Sequence, residues 1–360
     1  TSPEEFRRQA KLLNPEIPIV LLAFHQRELE SVRVKNDSFF DNIFFWNGES
    51  RILLTIIKFV EDSRNVEADT ELAGVRVIIL VENSVKFYSS FLPLIYAETV
   101  RQTSALLSES INAANRLLRM RARPKILLAE NFEDALALFD KYKKYLLGII
   151  SDIQFPKDGQ IDESAGIQLA AMIKNEVSDL PVLLQSSNDA NAEKAAECDA
   201  AFLNKSSPTL LNELSVFINQ NFGFGDFVFR LPNGKELDRA RNFRELHKCV
   251  ASVDIRSLVF HAERHHFSNW LMARTEFDLA ARLRPRRVSE FDDPEQMRLY
   301  LLKILEGFLH ERQVGVITDF SRDHYDGRAE FLRIGEGSLG GKGRGLAFIN
   351  HLINCYPVYN

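Results

Sequence analysis

The sequence predicts an α/β protein organised around a doubly wound, five-stranded parallel sheet. From Val75 onward, short apolar runs rich in β-branched residues alternate with longer amphipathic segments, which is the pattern of βα units. The chain has 360 residues, and because domains commonly hold about 150, it can form two to three of them. We expect a partial half-domain before this sheet and an α+β linker domain after it.

Five apolar runs have the length of buried strands. They lie at 75–81, 124–129, 146–151, 180–184 and 200–203. Segments with helical spacing of apolar residues separate these runs and follow the last one. They lie at 84–121, 133–145, 164–177, 190–197 and 208–221. We therefore expect one complete domain at residues 74–222.

The first of these helices is too long for a compact βα unit. A helix over 84–121 would extend for about 55 Å at ~1.5 Å per residue. Its second half keeps an apolar stripe through Leu107, Ile111, Ala114 and Leu118. We expect this helix to project and to pack on a neighbouring domain of the same chain, or else to form a homodimer contact as a helix pair.

A shorter version of the same pattern precedes Val75. Strand-like runs at 17–22 and 42–46 lead to an amphipathic helix at 50–60. Since these elements suggest the last two strands and last helix of another βα domain, we interpret residues 1–73 as a partial domain. The sequence begins at Thr1 without a Met, and we expect a fragment of a longer protein.

The pattern changes again after Phe222. A hairpin, two long charged helices and a short strand are expected in turn, at 226–237, 261–284, 293–312 and 331–334. These elements predict an α+β linker domain at residues 223–333.

Charge and cysteine content exclude several classes of protein. The net charge of −5 provides no global basic field, so we expect neither nucleic acid nor a membrane surface as a partner. The cysteines Cys198, Cys249 and Cys355 are widely spaced, which predicts no disulfide framework or zinc finger and fits a cytoplasmic location. No uncharged run reaches the ~18 residues that a membrane span needs.

Polar residues follow the strands at the carboxyl edge of the predicted sheet, where open parallel sheets bind their ligands. They are Glu82 and Asn83 after the first run, Asp152 after the third, Ser186 and Ser187 after the fourth and Lys205 after the fifth. Acid and amide oxygens at two strand ends suit a hard cation such as Mg²⁺. A hydroxyl and an ammonium group opposite them could neutralise a phosphoryl group.

Four motifs in this region resemble those of a response-regulator receiver domain. They are VEN at 81–83, SDIQFP at 151–156, QSS at 185–187 and NKSS at 204–207. The resemblance covers roughly residues 74–222 and implies a flavodoxin-like receiver fold. It also implies Mg²⁺ as cofactor and a sensor histidine kinase or phosphotransfer protein as partner.

The same resemblance implies a role for each residue of the site. By position, the resemblance implies that Asp152 is the phosphoacceptor and that Glu82 and Asn83 bind the metal together with it. It implies that Lys205 contacts the phosphoryl oxygens. Ser186 would be the switch hydroxyl, and Phe202 would take the switch-aromatic position. Asp152 would receive its phosphoryl group from a phosphohistidine, and the modified site would bias a two-state surface.

Two departures from the receiver pattern affect this prediction. The family usually has two acids where this chain has Glu82 and Asn83, and Ser206 replaces the proline that usually follows the lysine. The missing negative charge should lower metal affinity, so a pseudo-receiver that is never phosphorylated is the alternative interpretation. In residues 1–73, Ala23 and Trp46 take the hydroxyl and lysine positions, and we interpret that region as a degenerate receiver used for packing.

A glycine-rich stretch at 334–348 follows a strand-like run. Its amides could cradle phosphates, but GxGxxG is weak alone, and the P-loop pattern fails because Gly343 follows Lys342 where Ser or Thr is needed. The residues SLGGKGRGLAF instead resemble the start of the ATP-binding domain of the phosphoenolpyruvate synthase and pyruvate phosphate dikinase family. This resemblance covers about 25 residues and implies that Lys342 contacts ATP phosphates, with Gly340, Gly341 and Gly343 allowing close backbone approach.

Three functions remain open. The leading hypothesis is a signal receiver that regulates a fused phosphoenolpyruvate synthase-like phosphotransferase, which would begin at 334–360 and would not be complete here. The second is an assembly or dimerisation module, and the third is an enzyme whose ATP chemistry uses Lys342. A zinc site on His261 and His265, spaced i,i+4, is disfavoured because the HExxH arrangement is absent.

Overall fold

The computed structural model describes residues 3–29, 40–108, 123–283, 288–311, 317–320, 331–335, 337 and 339–355. The described residues fall into two compact units. One is drawn from Thr1–Arg101 and Arg123–Phe222, and the other from Gln102–Ala122 and Gly223–Asn360.

The first unit begins with a helix, two parallel strands and a long second helix. Helix α1 spans Pro3–Leu13, strand β1 Val20–Ala23, strand β2 Asn42–Phe45 and helix α2 Arg51–Ala73. The two strands pair in parallel with Val20 opposite Asn42. The sequence predicts both strands, and both are present.

Helix α2 has 23 residues, about twice the length predicted from the sequence. Its buried positions recur every three or four residues from Ile52 to Thr70, but those of the second half include the polar Asp62 and Thr70. Hydrophobic periodicity therefore stops before the helix does. The helix ends at Gly74, whose φ of 62° lies in the left-handed region that favours glycine.

A five-stranded parallel sheet forms the centre of the first unit. Its strands are β3 at Val77–Val81, β4 at Lys125–Ala129, β5 at Leu146–Asp152, β8 at Val182–Ser186 and β9 at Ala201–Asn204. The spatial order is β4-β3-β5-β8-β9, and each neighbouring pair is parallel. The predicted five-stranded α/β sheet is confirmed.

Helices connect these strands as the sequence predicts. They are α3 at Val85–Ser108, α4 at Phe132–Tyr142, α5 at Ala165–Glu176, α6 at Asn191–Glu197 and α7 at Leu210–Asn221. Helix α3 corresponds to the first part of the long helix predicted at 84–121. The stripe residues Ile111, Ala114 and Leu118 lie outside the described residues, so the expected projection and dimer contact stay predictions.

The two faces of the sheet are both buried. On one face, strand residues such as Ile79, Ile149 and Leu184 join residues of α4 and α5 in one apolar cluster. The opposite face carries the buried Leu80 and Ile150. At Gly148 of β5, a Cβ atom would overlap the ring of Phe222, so this strand position requires glycine.

A buried carboxylate fastens α2 to the edge strand β4. Asp62 is fully buried, and its Oδ2 accepts hydrogen bonds from the Ile126 backbone N–H at 2.9 Å and the Tyr96 hydroxyl at 3.1 Å. The Arg123 guanidinium forms an ion pair with the same carboxylate. The ammonium of Lys125 lies 3.6 Å from Asp62 Oδ1 and 2.6 Å from Asp69 Oδ2. This cluster explains why α2 continues past the predicted end.

A small antiparallel hairpin follows β5 and is not predicted from the sequence. Strands β6, Phe155–Lys157, and β7, Gln160–Asp162, are joined by Asp158 and Gly159. Both turn residues have positive φ, 50° and 75°, which is the conformation that an Asp-Gly hairpin turn needs.

The second unit contains a hairpin, helices and a second parallel pair. Strands β10 and β11 span Phe227–Arg230 and Glu236–Ala240. Five helices follow, α8 at Phe243–Ser252, α9 at Ile255–Glu263, α10 at His266–Ala273, α11 at Phe277–Leu283 and α12 at Pro294–Glu311. Strands β12 and β13 span Ile317–Asp319 and Phe331–Arg333, and helix α13 spans Gly341–Cys355. The predicted hairpin is present and antiparallel.

One helix prediction in this unit is wrong. The single helix predicted at 261–284 is instead the end of α9 followed by α10 and α11. The breaks fall at His265 and Thr275, which have left-handed φ values of 55° and 64°. Non-glycine residues rarely adopt this conformation, and neither break is marked by Gly or Pro in the sequence. Among the described residues, no helix is both long and apolar enough to cross a membrane.

Candidate functional site

Three charged side chains from separate strands meet at the carboxyl edge of the five-stranded sheet. Nζ of Lys205 lies 2.6 Å from Oε2 of Glu82 and 2.7 Å from Oδ2 of Asp152. Glu82 follows β3, Asp152 ends β5 and Lys205 follows β9. The structure thus brings together three of the six residues that the sequence places at this edge.

The sheet order explains how Lys205 reaches the two carboxylates. Strand β8 lies between β5 and β9, so the lysine side chain extends across the end of β8. Its backbone N–H donates to the Ser186 carbonyl oxygen at 2.9 Å, which anchors the residue beside β8. Nζ lies 4.4 Å from the centre of the Phe87 ring on α3, at a distance typical of a cation–π contact.

Asp152 is held at both carboxylate oxygens but keeps some exposure. Oδ1 accepts a hydrogen bond from the Ile153 backbone N–H at 2.7 Å, and Oδ2 is paired with Lys205. The side chain is 12% exposed, whereas that of Lys205 is 5% exposed. An incoming reactant can therefore reach Asp152, while the ammonium stays largely shielded from water.

Glu82 is the most buried member of the group. Its side chain has no exposure, and Oε1 accepts a hydrogen bond from the Ser84 backbone N–H at 3.0 Å. Burial raises the pKa of Glu82 to about 7; the charge of Lys205 opposes this rise and the charge of Asp152 adds to it. The ionisation of Glu82 thus depends on the presence of the lysine.

The oxygen-donor set at this edge fits a hard divalent cation. Oxygens of Glu82 and Asp152 converge on a single point, which the ammonium of Lys205 reaches, and Asn83 follows Glu82 directly. Carboxylate and amide oxygens are the ligands that Mg²⁺ takes in proteins. Within the described parts of the chain, no three acidic, His or Cys side chains form such a group. By its position after Glu82, Asn83 could supply a further oxygen donor.

The side chains of Ser186 and Phe202 are engaged elsewhere than with the charged side chains of Glu82, Asp152 and Lys205. Oγ of Ser186 accepts hydrogen bonds from the Asn188 backbone N–H at 3.1 Å and from Nδ2 of Asn191 at 3.0 Å. Ser186 is therefore engaged with the start of α6. Phe202 is partly buried and packs against the apolar cluster on the other side of the sheet.

Three further residues belong to this edge, and none of them has a role predicted from the sequence. Phe87 supports the ammonium group, as described above. Gly166 of α5 donates its backbone N–H to the Ile153 carbonyl oxygen at 2.9 Å and packs directly on the backbone of Asp152. Gln185 of β8 is fully buried beside Asp152. The sequence signals for these residues are weak: Gln185 is part of the QSS motif at 185–187, and Gly166 lies in the first turn of a predicted helix.

The glycine-rich stretch lies at the start of α13 in the second unit. Gly340 precedes the helix, and Gly341, Lys342 and Gly343 form its first turn. Lys342 is exposed, and the Arg344 backbone N–H donates to the Gly340 carbonyl oxygen at 3.3 Å. The nucleotide-binding role of these residues stays a prediction.

The histidines considered for zinc are arranged differently. Nδ1 of His261 lies 2.8 Å from Nδ1 of His266, and Nε2 of His261 accepts a hydrogen bond from the Arg230 backbone N–H at 2.9 Å. Burial lowers the pKa of His261 to about 3 and that of His266 to about 4. His265 occupies the position before α10 and does not join this pair. The pair is therefore a buried neutral contact.

Comparisons with known proteins locate similarity in one part of the chain. No protein-family model matches the sequence, and no curated protein sequence matches it. Three solved structures of response regulators are similar to it. The first is the phosphorylated cyanobacterial phytochrome response regulator RcpA, with 16% sequence identity and a TM-score of 0.26, covering 41% of this chain and 94% of that chain. The second is a response regulator receiver domain protein from Clostridium thermocellum, with 18% identity and a TM-score of 0.25, covering 40% of this chain and 92% of that chain. The third is the Mn²⁺-bound form of response regulator Rcp1, with 20% identity and a TM-score of 0.24, covering 40% of this chain and 92% of that chain.

Proposed function

We propose that the first unit is a phosphorelay receiver in which Asp152 accepts a phosphoryl group and Lys205 responds to it. The observation that supports this most directly is the 2.7 Å distance from the Lys205 ammonium to Asp152 across an intervening strand. A shielded cation aimed at a partly exposed carboxylate can hold an additional anion at the same place. The partner would be a histidine kinase or a phosphotransfer protein.

The proposed reaction is a direct phosphoryl transfer. A carboxylate oxygen of Asp152 attacks the phosphorus of a phosphohistidine, forming a P–O bond as the P–N bond breaks. The histidine ring keeps the bonding electron pair and takes a proton from water. The product on the receiver is an acyl phosphate. A divalent cation bound by Glu82, Asp152 and Asn83 would offset the negative charge that gathers during transfer.

Residues of this chain then respond to the new charge. A phosphoryl group adds up to about two negative charges, so the ammonium of Lys205 is drawn from Asp152 Oδ2 towards a phosphoryl oxygen. If the Ser186 hydroxyl turns to the same group, it gives up its hydrogen bonds with Asn188 and Asn191. Helix α6 begins at Asn191, so the surface that changes is the start of this helix.

The proposal extends to what the receiver regulates. Residues 334–360 resemble the start of a phosphoenolpyruvate synthase-like ATP-binding module, and we propose such a module as the regulated partner. Binding of ATP to this chain can be measured by isothermal titration calorimetry, with Lys342→Ala compared with Lys303→Ala as a control for loss of an exposed lysine. Equal affinities of the two variants would contradict the assignment of Lys342.

Beryllofluoride, which mimics a phosphoryl group on an aspartate, tests the receiver proposal. Beryllofluoride with Mg²⁺ should raise the midpoint of thermal unfolding of the wild type and shift backbone amide resonances at the start of α6. Asp152→Asn should abolish both effects, whereas Asp140→Asn, a change at an exposed acid on α4, should preserve them. A wild type that shows neither effect favours the pseudo-receiver, and dimers that persist unchanged in Asp152→Asn favour the assembly module.

A further inference from the structure

Gln185 combines complete burial with an unused hydrogen-bonding capacity. Its side chain is fully buried, and among the described residues neither Oε1 nor Nε2 has a hydrogen-bond partner. Buried amide groups are nearly always paired, because removing them from water without compensation costs free energy. An apolar side chain would therefore fill this position at lower cost, unless another state of the protein uses the amide.

The position of Gln185 places it next to the acceptor carboxylate. In the pairing of β5 with β8, Gln185 lies opposite Asp152, and in the pairing of β8 with β9 it lies opposite Leu203. Paired residues of parallel strands share a face and lie about 4.8 Å apart. The amide therefore occupies the row of the sheet that contains Asp152, on the strand that the Lys205 side chain crosses.

The hydrogen bonds of Lys205 suggest when the amide is used. An ammonium group has three N–H donors, and in this structure it faces Glu82, Asp152 and the ring of Phe87. On modification of Asp152, the lysine would exchange its Asp152 contact for a phosphoryl oxygen, and Glu82 would turn to the cation. One donor of a shielded ammonium is then left without an acceptor.

We infer that Gln185 is a positioning residue of the acceptor site, whose amide oxygen accepts a hydrogen bond from the Lys205 ammonium when Asp152 carries a phosphoryl group. This inference rests on the proposed receiver function. In the unmodified protein the amide is a cost, and in the modified protein it stabilises the displaced lysine. Gln185 thus shifts the balance of free energy towards the modified state of the site.

Gln185→Met tests this inference, because methionine has a similar length but no amide. The variant should unfold at a temperature no lower than the wild type without beryllofluoride, and it should bind beryllofluoride with Mg²⁺ about three- to tenfold more weakly, as expected for one hydrogen bond. Leu184→Met is the matched control, since Leu184 is fully buried on the same strand but faces the other side. It should leave beryllofluoride affinity unchanged.

A spectroscopic measurement on the wild type does not depend on how the variants fold. The side-chain NH₂ resonances of Gln185, assigned by their absence in Gln185→Met or by selective glutamine labelling, should shift on addition of beryllofluoride and Mg²⁺ and stay in place in Asp152→Asn. If the wild type binds beryllofluoride but these resonances do not move, or if Gln185→Met binds it as tightly as the wild type, the inference is wrong and the receiver proposal stands. If the wild type does not bind beryllofluoride at all, both fail.

Discussion

Gly166 lies directly against the backbone of Asp152. A Cβ atom at Gly166 would lie 2.8 Å from Cα of Ile153 and closer still to the Asp152 carbonyl oxygen. Because these neighbours are backbone atoms of a buried strand end, they cannot move aside as a flexible side chain would. The absence of a side chain at this position therefore allows α5 to pack closely against the backbone of Asp152.

We expect Gly166→Ala to destabilise the first unit by about 1–3 kcal/mol, as overpacking in a core commonly does. Urea unfolding followed by circular dichroism measures this change. Gly307→Ala is the control, because a Cβ atom at Gly307 of α12 meets nothing within 4 Å. That control should gain about 0.5–1 kcal/mol from helix propensity. Equal effects of the two substitutions would show that the contact with Asp152 is unimportant.

Replacement of Asp62 should loosen the attachment of α2 to the sheet. Asp62→Ala leaves the largely buried Arg123 guanidinium without its carboxylate, and loss of one partner from a buried pair commonly costs about 3–5 kcal/mol. Asp69→Ala removes a 39%-exposed partner of Lys125, so a loss of at most about 1 kcal/mol is expected. Chemical denaturation of both variants compares them. If the two variants lost similar amounts of unfolding free energy, burial of Asp62 would not explain its contribution to stability.

The raised pKa of Glu82 gives a stability term with a definite sign. The folded pKa of about 7 lies above the reference value of 4.5, so the folded protein binds the Glu82 proton more tightly than the unfolded chain. The contribution of Glu82 to the free energy of unfolding is therefore full below about pH 4.5 and falls as the pH rises towards 7. Unfolding of the wild type and of Glu82→Gln over this range isolates the term. If the stability of the wild type relative to Glu82→Gln increased as the pH rises, the contribution of Glu82 would have the opposite sign to the one expected.

Removal of the lysine should move the titration of Glu82 upward. In Lys205→Met the opposing positive charge is absent while burial and Asp152 remain, so the pKa of Glu82 should exceed its wild-type value of about 7. Carbon-13 NMR of the labelled glutamate carboxyl group reports this midpoint. Lys86→Met is a control for an exposed lysine on α3. A lower midpoint in Lys205→Met would exclude the ion pair described for these residues.

Acid should destabilise the second unit through its paired histidines. The pKa values of about 3 and about 4 lie below the reference value of 6.5, so stability is complete above pH 6.5 and is lost as the pH falls towards 4 and 3. Each histidine accounts for a loss of about 2 kcal/mol between pH 7.5 and 5. Urea unfolding followed by Trp270 fluorescence, in a Trp46→Phe background, measures it.

The matched variants for this acid effect are His266→Gln and His310→Gln. His266→Gln should remove about 2 kcal/mol of the difference in unfolding free energy between pH 7.5 and 5, since one buried titrating group is lost. His310 is exposed near the end of α12, so its replacement should leave the difference unchanged. A pH dependence that is the same in all three proteins would assign the acid effect to other groups.

The residues that meet at the sheet edge follow from the sequence because strand ends are a strong signal. Glu82 and Asp152 come directly after continuous apolar runs, and the carboxyl ends of parallel strands lie at one edge. Lys205 is far from both residues in sequence, but it also follows a strand of the same parallel sheet, so the same rule places it at this edge. By contrast, the orientation of Ser186 depends on Asn188 and Asn191, and no periodic pattern contains that information.

The parts that the sequence did not predict share a physical cause. The second half of α2 packs through polar residues such as Asp62, and the breaks at His265 and Thr275 use residues that seldom adopt left-handed backbone. The hairpin turn at Asp158 and Gly159 has a local sequence signal, the Asp-Gly pair, from which no hairpin is predicted above. For α2 the deciding contacts join Asp62 to residues far apart in sequence, such as Ile126 and Tyr96, and a local pattern does not contain that information.

The hydrogen bond from Ile126 to Asp62 also governs association with other molecules. A free strand edge presents backbone N–H groups on which another polypeptide can add a strand, and such addition leads to aggregates. On β4, the Ile126 N–H is already taken by a carboxylate of the same chain. This N–H group is consequently not available to pair with a strand of another copy of the chain.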